Sequence, residues 1–336
     1  MKKDKVLLAH GSGGRLSYEL IKELILPQFG NPILNSLDDS ASLSVEGHRL
    51  AFSTDSYVVK PIFFPGGDIG RLAVFGTVND LAMVGAVPSY ISVGLMIEEG
   101  LQMATLRGVA ESIRQASQEA GVKIVCGDIK VAERGGLDQL FINTTGVGYI
   151  PEGIGISGRN AQVGDLILLN GTIGDHGIAV LAEREEFQFQ AKIASDCAPL
   201  NGLVADMLEA SRNIHVMRDP TRGGLATSLN EIALQSGVEI MIGEASIPIR
   251  DEVAGACEML GLDIFSVANE GKLVAFVPEA DAGKVLEAMK SNPLGREAAI
   301  IGQVRGDSRS RVILETLIGG KRILDMPSGE LLPRIC

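Results

Sequence analysis

Apolar runs of strand length alternate with segments of helical period along nearly the whole chain. That alternation restricts the fold to an α/β (α+β) class, in which helices cover the faces of sheets. In the first half the pattern predicts strands at Val6–Ala9, Arg49–Ser53, Tyr90–Ile97, Val122–Cys126 and Gln139–Tyr149. In the second half it predicts Leu166–Asn170, Glu239–Ile242, Lys272–Val277, Ala299–Val304 and Val312–Leu314. The clearest helix is predicted from about Met103 to Ala120, with Leu106, Val109, Ile113 and Ala116 on one face and Gly121 as its stop. Others are predicted near Arg71–Val84, Leu200–Arg212, Gly223–Ser236, Asp251–Leu260 and Ala280–Ser291.

A chain of 336 residues is long enough for two domains. Pro151, Gly153, Gly155 and Gly158 break the pattern between Ile150 and Gly164, so the segment reads as the interdomain connection. The expected division is 1–155, 156–325, and an aperiodic tail 326–336 that carries Cys336.

Charge and hydropathy exclude several classes of function. The net charge of −12, with no basic stripe, argues against nucleic acid as a partner. No apolar run reaches the ~20 residues that cross a bilayer. The apolar patch at Val6–Ala9 is too short for a secretion signal, so a cytoplasmic location is expected. Cys126, Cys197 and Cys257 lack the spacing of a zinc site and read as small buried hydrophobes. Cys336 differs in ending the sequence, behind a stretch (MPSGELLPRIC) rich in helix-breaking residues.

Carboxylates gather in the first half: Asp38 and Asp39 (LDDSA), Asp55 (STDS), Asp80 (TVNDLA) and Asp128 (CGDIK). Magnesium takes oxygen ligands and is commonly shared between a few carboxylates and substrate phosphates, so their joint occurrence suits Mg2+ with a nucleotide. Singly, each Asp is more often a turn former or a helix cap. Asn79 and Asp80 stand out because they interrupt an otherwise apolar helix, where burial without partners is costly. His10-Gly11-Ser12-Gly13-Gly14 could cradle a phosphate with its backbone N–H groups, although many turns are equally glycine-rich. No GxxxxGK[ST] P-loop occurs, and no GxGxxG stands in a Rossmann context. In the second half, GDHG (Gly174–Gly177), DPTRGG (Asp219–Gly224) and NEGK (Asn269–Lys272) recur as polar clusters. Asp219 could cap a helix or its loop could face an anion, and Glu270 could be a turn residue or a base of raised pKa.

Taken together, HGSGG, FSTDSYVV, FFPGGDIG, FGTVNDLAMVGAVP, GDIKV, LFINTTGVG, GTIGDHG, SDCAPL, RDPTRGGL, NEGKLV and the terminal PRIC cover nearly the whole length in order. In these the chain resembles the HypE family of hydrogenase maturation factors, the carbamoyl dehydratases, within the aminoimidazole ribotide synthetase-like superfamily. The resemblance implies a two-domain fold and a homodimer whose N-terminal domains form a β-barrel, with ATP bound near that junction. It implies that Cys336 receives a carbamoyl group from the carbamoyltransferase HypF, that ATP drives its dehydration to a thiocyanate, and that the cyano group passes to iron on a HypC–HypD complex. It makes Glu270 the base and Lys130 the cation at the departing oxygen. Asp38, Asp55, Asp80 and Asp128 would hold Mg2+ and phosphates, with Asn79 and Gly11–Gly14 also at the nucleotide; whether Asp38 or Asp39 contacts the metal stays open. The chain departs from the usual GDTK in carrying Ile129 where a Thr is typical, so a hydroxyl is missing from that loop. Two other readings remain. A sister enzyme such as a selenophosphate synthetase would carry a reactive Cys near the N-terminus, whereas the first Cys here is Cys126. A non-catalytic thiol carrier would not need the Asp set or NEGK.

Overall fold

The computed structural model describes residues 5–184, 193–306 and 309–329. Cys336 lies outside the described residues. The N-terminal sheet is built from β1 (Ala41–Val45), β2 (His48–Tyr57), β5 (Val87–Glu98), β6 (Lys123–Ala132) and β7 (Leu140–Tyr149), ordered β1-β2-β7-β5-β6. A short hairpin, β3 (Phe63–Phe64) and β4 (Gly67–Asp68), leads into the helices of this half. The second sheet has seven strands, ordered β14-β13-β10-β12-β8-β11-β9. They are β8 (Leu166–Leu169), β9 (Val216–Arg218), β10 (Glu239–Gly243), β11 (Val274–Val277), β12 (Ala299–Arg305), β13 (Val312–Glu315) and β14 (Lys321–Ile323). Helices α1 (Arg15–Leu20) and α2 (Leu26–Phe29) precede the first sheet, with α3 (Ile69–Met83) and α4 (Met103–Glu119) inside its span. Then follow α5 (Asp175–Arg184), α6 (Asn201–Ala210), α7 (Gly224–Ser236), α8 (Asp251–Leu260) and α9 (Glu279–Ser291). The chain thus has the mixed α/β, two-domain architecture that the sequence predicts. Among the described residues no helix is long and apolar enough to cross a membrane.

Helix α3 organises the molecule. It is buried on nearly every side, as an apolar helix must be when covered all round. Asp68 caps its N-terminus, accepting from the N–H groups of Gly70 (2.7 Å) and Arg71 (3.2 Å), and Ser112 of α4 donates to the same carboxylate. The helix lies against β2 and β7, close enough that Gly76 leaves room for the buried Tyr57 ring. Its C-terminal end enters a core shared by both halves, in which Leu81, Ala82 and Met83 pack with Leu168, Leu203 and Leu273. Asn79 and Asp80 are therefore delivered to the seam between the two sheets.

Three local expectations fail for physical reasons. Val6–Ala9 is not a strand: the His10 N–H bonds Leu7 O at 3.0 Å, and His10 Nδ1 accepts the Leu7 N–H at 2.9 Å, closing a tight 3-10 turn over Leu8–Gly11. β6 does not stop at Cys126 but continues through Gly127-Asp128-Ile129-Lys130 in parallel pairing with β5. It is the edge of its sheet, so Cys126, expected to be buried, is exposed, whereas Cys197 and Cys257 are buried.

Candidate active site

The acids of the first half separate into three environments. Asp38, just before β1, turns to the connection between the halves: Ser157 Oγ donates to it at 2.9 Å and Gly158 N–H at 2.8 Å. Asp39 faces the other way, to the Arg218 guanidinium at the end of β9, whose Nε lies 3.3 Å from Asp39 Oδ1 and whose Nη2 reaches Glu231 of α7 at 2.7 Å. Asp80 accepts from Ser53 Oγ of β2 at 2.6 Å.

The buried Asp219 and Glu270 and the half-buried Asp39 and Asp80 form one acidic group, with the partly exposed Asp55 at its edge. Burial pushes the Asp39 carboxyl up to about 8, aided by Asp219 and Glu231 and opposed by Arg218. Burial pushes Asp219 up to about 6. Asp80 lies well above the usual carboxylate range because of burial and then the charges of Asp219, Asp55 and Asp39. Glu270 is also raised well above its ordinary value, by burial and then by Asp219, Asp196 and Asp55, with Arg222 opposing. It is 4 % exposed, and its Oε1 has no hydrogen-bond partner among the described residues. Carboxyls crowded in this way are short of positive charge, and their hard oxygens suit Mg2+. Among the described residues no three potential ligands already converge on one point.

Asn79 is held by backbone. Its Nδ2 donates to Glu270 O at 3.2 Å and Ala198 O at 3.1 Å, and its Oδ1 accepts the Leu200 N–H at 2.7 Å. This supplies the partners that a buried Asn within an apolar helix requires.

The glycine-rich loop has a packing duty. Gly13 has φ +77°, and a Cβ there would lie 2.5 Å from Arg222 O; Gly14 presses equally closely on Pro327 O. Gly13 N–H is taken by Ser17 Oγ (3.0 Å), Gly11 O accepts from Arg222 Nη1 (3.0 Å), and Arg15 N–H bonds Pro327 O (3.0 Å). The loop therefore joins three things: the DPTRGG turn, Arg222 with its guanidinium 3.9 Å from Asp55, and the root of the C-terminal tail. Asn230 secures that root a second time, donating to Leu324 O at 2.7 Å.

Asp128 and Lys130 lie elsewhere in the chain. They pair with each other at 3.2 Å on β6, with side chains 68% and 75% exposed. Two strands, β7 and β5, separate β6 from β2, which puts them about 14 Å along the sheet from Asp55 at ~4.8 Å per strand. The register places Asp128 in the row of Gly94, Asn143 and Ser56, one residue out of step with Asp55 and hence on the opposite face. Asp219, Arg218, Arg222 and Asp196 also belong to the site. The sequence signal for Asp219 and the two arginines was the charged RDPTR run directly behind an apolar strand.

Residues 37–150 match the N-terminal domain of the AIR synthase related protein family, and residues 162–315 match its C-terminal domain. The chain is 51% identical over 337 residues to the carbamoyl dehydratase HypE of Cupriavidus necator, covering 100% of this chain and 96% of that one. A crystal structure of a HypE–HypF complex superposes with a TM-score of 0.88 at 47% identity, covering 92% of this chain and 99% of the other. A hydrogenase maturation protein HypE in complex with ATP superposes with a TM-score of 0.83 at 50% identity, covering 99% and 100%.

Proposed function

The chain belongs to the HypE family of carbamoyl dehydratases among the AIR synthase related proteins, and from that membership we propose that it converts a carbamoyl group on its own Cys336 thiol into a thiocyanate, with hydrolysis of ATP, in hydrogenase maturation. A relative solved with ATP supports the nucleotide, and a relative solved with HypF supports that protein as partner; HypF is also the proposed source of the carbamoyl group. The HypC–HypD complex is the proposed acceptor of the product.

One observation carries the reading. Glu270 is a buried carboxyl with an unpartnered oxygen, among acids near Arg222, and the loop that touches Arg222 also grips the tail's root. From Pro327 to Cys336 an extended chain spans at most about 30 Å, which allows the sulfur to return to this cleft.

The chemistry follows from leaving-group ability. A thiocarbamate oxygen departs poorly, whereas the same oxygen bearing the γ-phosphoryl group departs as phosphate. Phosphorylation of that oxygen releases one N–H proton to solvent; as the C–O bond then breaks and phosphate leaves, Glu270 takes the remaining N–H proton and the electrons of that N–H bond close the C≡N bond on the carbon held by sulfur. A carboxyl of raised pKa is the stronger base for this step, and Arg222 favours its ionised form. Asp55 and Asp80, with Asp39 and Asp219, are the residues that would hold Mg2+, which when bound offsets charge on the transferring phosphoryl group. Asp38 is committed to Ser157 and Gly158 and stays out of this set. Asp128 and Lys130 enter the reading through a homodimer that pairs along the exposed β6 edge.

Carbamoylated protein given ATP and Mg2+ should lose one water at Cys336, read by mass spectrometry. Cys336→Ala should bind ATP and form no adduct. A variant that still consumed ATP and released thiocyanate normally would overturn the assignment.

A further inference from the structure

Glu270 sits in a turn between a single 3-10 turn and β11, with no regular element of its own to hold it. Its two peptide groups are held by side chains. The Glu270 N–H donates to Asp196 Oδ1 at 3.1 Å, and its C=O accepts from Asn79 at 3.2 Å. Asp196 belongs to the SDCAPL segment, which the reaction as described leaves without a role. That segment is a strap fixed at several points. Ser195 N–H bonds Pro65 O at 2.8 Å, Ser195 Oγ meets His176 Nδ1 at 2.8 Å and accepts the Cys197 N–H at 3.1 Å, and Ala198 and Leu200 engage Asn79. Gly271 follows Glu270 at a point where any Cβ would strike the Asp196 carbonyl. The other Asp196 oxygen, Oδ2, has no hydrogen bond of good geometry but forms an ion pair with Lys272 Nζ at 3.0 Å, with side chains only 4% and 11% exposed. A buried ion pair of this kind is a weak source of stability, because desolvation offsets the attraction, and it is better suited to fixing geometry.

We propose that Asp196 is a positioning residue for the dehydration: gripped by Lys272, its carboxylate fixes the Glu270 N–H and thereby the direction in which the Glu270 carboxyl meets the carbamoyl nitrogen. The inference rests on the reading of Glu270 as the base. The ionised state it requires is favoured, since Lys272, His176 and the Glu270 N–H outweigh burial and hold the Asp196 carboxyl below the usual range. Asp196 touches no reacting atom; both its oxygens are engaged by residues that carry or follow Glu270.

The test is a single-turnover measurement on full-length protein first carbamoylated by its carbamoyltransferase. Asp196→Ala should slow loss of water at saturating ATP about 100-fold, the scale expected when a catalytic group shifts by about 1 Å. The ATP concentration giving half the maximal rate should stay within about twofold of wild type. Asp196→Asn, which keeps an oxygen acceptor for the Glu270 N–H, should recover at least about tenfold of that rate, and this variant decides the matter if the alanine form does not fold. The proposal is overturned if Asp196→Ala reacts at the wild-type rate, if Asn and Ala are equally slow, or if only the ATP dependence changes. Glu270→Gln, run alongside, separates the two readings: normal turnover there removes Glu270 as base, whereas a stalled Glu270→Gln with an unaffected Asp196→Ala removes Asp196 alone.

Discussion

Asp38 and Asp39 are adjacent in sequence, but one faces Ser157 and Gly158 and the other Arg218, and their removal should cost different things. Asp38→Ala leaves the Gly158 N–H without its acceptor, so a stability loss of about 1–3 kcal/mol is expected. Its Mg2+ requirement should stay near that of wild type. Asp39→Asn removes a carboxyl that Mg2+ would ionise on binding and should instead raise the Mg2+ concentration giving half-maximal dehydration. Denaturant unfolding together with a magnesium titration of each variant checks both outcomes; a normal Mg2+ response in Asp39→Asn would remove it from the proposed ligand set. The sequence could flag the pair but not divide its duties, because a carboxylate's partners across a fold boundary leave no local trace. Asn79 was easier to read, since a polar side chain within an apolar helix requires a partner. That the partner is the Glu270 carbonyl depends on contacts across 191 positions.

Among the elements, β6 is the least protected. Val125 is 58% exposed and Val131 66%, on a ten-residue edge strand with unpaired backbone groups along one side. Such an edge invites pairing with another chain, which fits the homodimer proposed above. Val125→Lys/Val131→Lys should weaken that dimer about 10,000-fold, taking about 1.5 kcal/mol for each of the four valines (two per protomer) no longer buried and 1.4 kcal/mol per tenfold. Sedimentation at several concentrations would show it, and an unchanged dimer would place the interface elsewhere. Strand and helix positions were legible where the period was long, as in α4 and β7. The length of β6 was not, because Gly127 and Asp128 resemble a turn until a parallel neighbour pairs with them.

For the whole molecule, the acidic seam makes stability depend on pH in an unusual direction. Asp219 and Asp39 titrate at about 6 and about 8 in the folded chain, against an ordinary carboxyl near 3.8. A carboxyl raised on folding binds its proton more tightly in the native state. Its contribution is therefore complete below its unfolded value and is lost as pH rises through the folded one. Protein free of metal and nucleotide should thus melt at a falling temperature between about pH 5 and pH 8.5, and added Mg2+ with ATP should recover most at the alkaline end. A melting series at stepped pH would show this, and a flat or rising profile would contradict it. The two-domain α/β plan was evident from alternation alone. The seam was not, since its acids come from a strand, a helix and three turns that only the packing of α3 between the halves brings together.

The proposed thiol and the catalyst belong to one polypeptide, whose tail Gly14 and Arg15 hold at Pro327. The carbamoyl group is then presented at an effective concentration set by tether length, on the millimolar scale for short flexible linkers. Dilution that leaves the dimer intact should leave the half-time of dehydration unaltered, and small thiocarbamates added to the medium should be feeble competitors.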